Sequence, residues 1–101
     1  MLNKNADVVI EGQKALIVVD QLLQTAENGQ KLNDLQSAVF LGTWVQCSYS
    51  EIAQQLGYEC DYIKQVGSRL WQSLSQILGE PVSKRNIQSV LRRHKNQNSG
   101  T

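Results

Sequence analysis

The chain is poor in most of the features that announce chemistry. Its 101 residues include one histidine, one proline, one phenylalanine and two cysteines. The lone His94 lies beside Arg93 and Lys95 with no nucleophile or orienting acid nearby in the sequence, so it offers no catalytic base. Cys47 and Cys60 have no second Cys or His pair to complete a metal site. They read as two free, partly buried thiols, with a redox pair flanking a helix as the weaker alternative. No G-x-G-x-x-G or P-loop pattern occurs, and neither paired carboxylates nor a nucleophile triad can be assembled. The expectation is therefore no enzyme activity, no cofactor, no metal and no small-molecule substrate. The longest apolar run, ALIVV at 15–19, is far too short to span a bilayer, and no secretory leader is visible. A cytoplasmic setting without membrane contact is expected.

What remains is ordinary globular composition, 41% hydrophobic and 19% charged, in a chain long enough for one modest core. With a single proline and no alternation of β-branched and polar residues, the fold class expected is all-α. The net charge of +1 hides an asymmetry. Residues 1–82 carry five basic against nine acidic side chains, a balance of −4, whereas residues 83–101 carry five basic and none acidic. Positive potential is thus concentrated at the C-terminal end.

The most informative stretch is SYSEIAQQLGYECDYIKQVGSRLWQSLSQIL, residues 48–78. Ser48 and Glu51 form a capping-box pair, in which each side chain satisfies an orphan backbone N–H at a helix start. Ile52, Ala53 and Leu56 give a short apolar stripe, and Gly57 suits the left-handed residue that ends a helix. After a turn, Ile63, Val66, Leu70, Leu74, Ile77 and Leu78 recur at amphipathic spacing, with Gly67 on the buried face where another backbone can approach. A short helix, a tight turn and a longer helix are the pattern of a helix-turn-helix.

Around it, residues 1–12 read as a loose or partly ordered lead-in, interrupted by Gly12. A helix is expected from Gln13 to about Ala26, with a stripe of Leu16, Val19 and Leu23 flanked by Ala15, Val18 and Leu22, ended by Asn28-Gly29. The β-branched ALIVV makes a strand the rival assignment. Asn33 and Gln36 cap a second helix whose Leu35, Val39, Phe40, Leu41 and Trp44 make it apolar on more than one side, as a central helix would be. Trp44 and Trp71 are expected core anchors. Gly79 and Pro81 stop the long helix, and Ser83 caps another that reaches about His94. Residues 96–101, NQNSGT, have the composition of a polar tail or linker. The expectation is a compact four- or five-helix domain over 13–95, built on a winged-helix-like trihelical core.

The segments LNDLQSAVFLGTW (32–44), SYSEIAQQLGY (48–58), KQVGSRLW (64–71) and LGEPVSKRNIQSVLRR (78–93) resemble the N-terminal helix-turn-helix domain associated with bacterial vWA-MoxR systems. That domain is often found at the front of signalling NTPases of the STAND class. More distantly, SYSEIAQQLG is similar to the helix-turn-helix of LuxR-type regulators and of sigma-factor region 4. The resemblance implies an input or adaptor module in a regulatory or signalling protein, ahead of an NB-ARC-type ATPase that this chain does not contain. One departure is Glu59-Cys60, where related motifs place a serine or threonine cap.

Two functions follow from the motif. As a reader of duplex DNA, it would lay its second helix in the major groove. Counting about 100° per residue from the buried stripe turns Asp61, Gln65, Ser68, Arg69 and Gln72 outward. Gln65 or Gln72 suits adenine, Arg69 guanine and Asp61 cytosine. Ser48, Ser50 and Lys64 suit phosphates, joined by Lys84, Arg85, Arg92, Arg93 and Lys95 if the last helix folds alongside. Tyr62 is the aromatic residue expected to face a partner. Duplex DNA is the favoured expectation because of the basic last helix. The alternative is an adaptor that recruits a protein partner or a second copy of itself, since fold alone does not fix function. If the C-terminal cations share one face with Lys64 and Arg69, DNA is favoured; if they point elsewhere, the adaptor is.

Overall fold

A computed structural model describes residues 2–26 and 31–99. Five helices follow one another: α1 Leu2–Ala26, α2 Asp34–Trp44, α3 Tyr49–Leu56, α4 Cys60–Leu78 and α5 Ile87–Ser99. No strand occurs among the described residues, so the all-α expectation holds and helices, not a β-wing, extend the trihelical core.

Local signals set most boundaries. The α2 box closes with Gln36 N–H donating to Asn33 Oδ1 at 2.7 Å and Asn33 N–H to Gln36 Oε1 at 2.9 Å. The α3 box closes likewise, Glu51 N–H to Ser48 Oγ at 3.1 Å and Ser48 N–H to Glu51 Oε1 at 2.8 Å. Gly57 ends α3 at φ 79°, a left-handed conformation open to glycine without a Cβ penalty. Gly79 ends α4 in the same way. Beyond it, Ser75 Oγ donates to the Trp71 carbonyl and accepts from Val82 N–H, both at 2.8 Å. That relay seats Val82 in the core.

Four expectations are corrected. The first helix begins at Leu2, not near Gln13, and runs through Gly12 unbroken. A Cβ at Gly12 would meet Trp44 Cδ1 at 2.9 Å, so this glycine is where the indole lies against the helix and not a stop. Val18, expected beside the buried stripe, is 36% exposed, while Val19 and Leu23 are buried. The last helix starts at Ile87 and not at Ser83. Residues 84–86 form a turn held by Asn86, whose Oδ1 accepts from Ser83 N–H at 2.8 Å and whose Nδ2 donates to the Pro81 carbonyl at 3.0 Å. Helix α5 continues past His94 to Ser99, into the segment expected to be tail. The expected Asn28-Gly29 break lies outside the described residues.

The interior is two clusters separated by α2. Phe40 and Trp44 join Val19, Leu23, Leu70, Trp71, Leu74, Val82, Ile87, Val90 and Leu91, binding α1, α4 and α5 together. Val39, on another face of α2, joins Ile52, Ala53 and Ile63 of the helix-turn-helix. A helix apolar on more than one side is buried on more than one side, and α2 is the central helix its sequence predicts. Trp44 and Trp71 are both core residues, 1% and 6% exposed. The Phe40 ring lies 5.7 Å from Trp44 and 6.4 Å from Trp71.

Candidate interaction surfaces of the helix-turn-helix

The motif is assembled by close packing at two positions. A Cβ on Gly67 would meet Tyr49 Oη at 2.8 Å, so what approaches this glycine is a tyrosine side chain and not a backbone. The Tyr49 hydroxyl accepts from Trp71 Nε1 at 2.9 Å, which fixes α3 across α4. The turn places Ser50 Oγ 3.6 Å from Cys60 Sγ. Glu59 occupies the N-cap position of α4 without a side-chain cap, which is the consequence of the departure noted at Glu59-Cys60. Cys47 and Cys60 are free thiols, each half-buried.

The outward face of α4 matches the helical count. Asp61, Tyr62, Lys64, Gln65, Ser68, Arg69 and Gln72 are all exposed, as are Ser48, the N-cap of α3, and Ser50 in its first turn. Lys64 and Arg69 nevertheless leave the helix about 140° apart, on opposite flanks of that face. Arg69 lines concavities with Lys31, Leu32 and Gln36 on one side and with Asn33, Tyr62 and Gln65 on the other. Lys84 lies on the Lys64 flank, its Nζ 5.5 Å from the centre of the Tyr49 ring.

The rest of the basic C-terminal segment is engaged elsewhere. Arg92 makes a bidentate pair with Glu11 of α1, both bonds 2.7 Å, and its guanidinium lies 5.9 Å from the Trp44 ring centre. The hydrogen bond from Arg92 holds the Glu11 carboxyl below its ordinary value against the opposing effect of burial. The charge of Arg92, the Trp44 indole and Lys95 add to the lowering. The Arg92 guanidinium is correspondingly raised by its bond to Glu11. Arg93, on another face of α5, pairs with Glu80 at 2.9 Å. Lys95 lies with Glu11, Lys14 and Arg92 around a cleft between α1 and α5. Arg85 is exposed in the turn before α5. The five C-terminal cations therefore do not share one face with Lys64 and Arg69.

The acidic partners Glu11 and Glu80 were not legible from the sequence. Glu11 and Arg92 are 81 residues apart and Glu80 and Arg93 are 13 apart, separations at which no helical spacing rule applies. Trp44 is likewise more than a core anchor. Its carbonyl accepts from Gln88 Nε2, and its buried Nε1 lies near Glu11 without a hydrogen bond of ordinary geometry. Among the described residues, no group of three or more His, Cys, Asp and Glu side chains could hold a metal ion. No helix there is long and apolar enough to cross a membrane.

A capped short helix, a left-handed glycine turn and a second helix crossing it at a glycine define a helix-turn-helix domain. The family of the vWA-MoxR associated protein N-terminal HTH matches residues 10–94, and the chain belongs to that family. No curated protein and no solved structure matches the chain significantly.

Proposed function

We propose that this domain is a protein-interaction adaptor and not, by itself, a reader of duplex DNA. The observation that carries this reading is the disposition of the C-terminal cations. Arg92 and Arg93, which would have supplied the grip on phosphates, are committed to Glu11 and Glu80 on different faces. What the motif keeps for DNA is Lys64, Arg69 and Lys84, set against exposed Glu51, Glu59 and Asp61. Affinity for a duplex scales with the phosphates neutralised, and so even a balance releases few counterions. The exposed apolar side chains Val9, Ile10, Ile17, Leu56, Tyr58 and Tyr62 instead supply the chemistry of protein contacts. The resemblance to domains at the front of STAND-type signalling NTPases agrees with a module that brings proteins together in the bacterial cytoplasm. No catalytic step is assigned to it.

One observation favours the DNA reading. Asp61, Gln65, Ser68 and Gln72 form an open polar face on α4, with Lys64 and Arg69 placed to straddle it. Fluorescence anisotropy with a labelled mixed-sequence duplex at low ionic strength separates the two. The adaptor reading expects no saturable binding. Saturable, salt-sensitive binding that is lost in the Lys64→Ala/Arg69→Ala double variant would replace it with DNA recognition.

A further inference from the structure

Two surfaces combine apolar side chains with charge. The first is a ridge at the turn between α3 and α4, where Leu56, Tyr58 and Tyr62 are 39%, 48% and 45% exposed. The two tyrosine rings lie 5.5 Å apart, a pairing that holds them as one aromatic surface. Glu59 and Asp61, both exposed, alternate with them, and Glu59 spends no side-chain bond on capping α4. The ridge is apolar with acidic edges.

The second is the cleft between α1 and α5, about 310 Å³, floored by Ala15, Val18, Trp44 and Leu91. Its edges carry Lys14, His94 and Lys95 beside the Arg92–Glu11 ion pair. At its floor lies the Trp44 indole, 1% exposed, with its N–H near Glu11. The cleft is apolar with basic edges.

The two surfaces are opposite in sign and share no residue. We propose that the ridge of one copy of this domain docks into the α1–α5 cleft of the next, head to tail. The inference rests on the adaptor reading and names its partner as a second copy, because one chain carries both halves of the complementary pair. Glu59 and Asp61 of the incoming ridge face Lys14 and Lys95. Donor and acceptor patches differ, so the contact is heterologous and leaves a free ridge at one end and a free cleft at the other. Such contacts build a ring where the rotation closes and a filament where it does not.

Charge exchange on the full chain tests this by sedimentation equilibrium over a concentration series at low ionic strength. The unaltered chain is expected to rise above its 11.3 kDa monomer mass with concentration. The ridge variant Glu59→Lys/Asp61→Lys and the cleft variant Lys14→Glu/Lys95→Glu are each expected to lose association and remain monomeric. Mixed together they should regain extended association, the two chains alternating, and the chain carrying all four changes should do so alone. All four side chains are exposed, and matching circular-dichroism melts check that each variant folds. A monomeric parent chain together with no pairing in the mixture would overturn the proposal. So would association that survives both reversals, which would assign it to another surface such as the Ile10 and Ile17 side of α1. If association fails and the anisotropy assay is also blank, only the head-to-tail contact falls. Saturable DNA binding is what would remove the adaptor reading beneath it.

Discussion

The two cores are built by different kinds of information. The helix-turn-helix core is the shorter-range: Ser48 and Glu51 start it, Gly57 turns it, and Val39, Ile52, Ala53 and Ile63 fill it within twenty-five residues. The α1–α5 core is long-range, gathering Val19, Trp44, Leu74 and Leu91 from across the chain around one indole. Residues fixed by neighbours announce themselves in sequence, and residues fixed by distant partners do not.

The comparison can be broken hardest at the second core. Trp44→Ala removes a fully buried side chain that touches α1 through Gly12 and lies beside Arg92 of α5. A loss of about 3–5 kcal/mol is expected, read by urea unfolding with circular dichroism. If the long-range core depends on this indole, hydrogen exchange should rise in α1 and α5 more than in α3. Equal exchange gains in all five helices would show instead that the two cores melt as one unit.

A smaller break joins the helix-turn-helix to α4. Gly67→Ala puts a Cβ 2.8 Å from the Tyr49 hydroxyl, which is held by Trp71 and has little room to withdraw. Overpacking of this kind should cost about 1–3 kcal/mol. An unchanged midpoint in the same urea titration would show that the Tyr49 ring withdraws freely.

The smallest effect is electrostatic and separates the cores by pH. The Glu11 carboxyl titrates below its ordinary value in the folded chain, so the Arg92 pair contributes stability that is present above about pH 4.5 and lost as pH falls through the folded value. Both partners are substantially exposed, 37% and 50%, and solvent screening holds the contribution to about 1 kcal/mol or less. Thermal melts of Glu11→Gln and the unaltered chain should therefore differ near neutrality and converge in acid. A gap that persists at low pH would mean that Glu11 acts through packing and not through charge.

The helix-turn-helix was nearly complete in the sequence. Both capping boxes, the Gly57 and Gly79 stops, the buried stripe of α4 and its outward polar face follow from spacing and residue type. The errors fall where a distant partner changes a local rule. Gly12 reads as a helix breaker until Trp44 is laid against it. Ser83 reads as a cap until Asn86 takes over the turn. The interaction surfaces are legible only in half: Tyr62 reads as an aromatic facing a partner, but nothing in the order of residues pairs Arg92 with Glu11 or Arg93 with Glu80.

The sequence by itself determined the class of fold and the motif at its centre, because capping, left-handed glycine and helical periodicity act over three or four residues. It also determined that positive charge is concentrated after residue 82. Only the tertiary structure decided where that charge points. Coulomb pairing acts through space and not along the chain, and the fold that brings α5 against α1 sets Arg92 in an ion pair with Glu11 and Lys95 at the rim of a cleft.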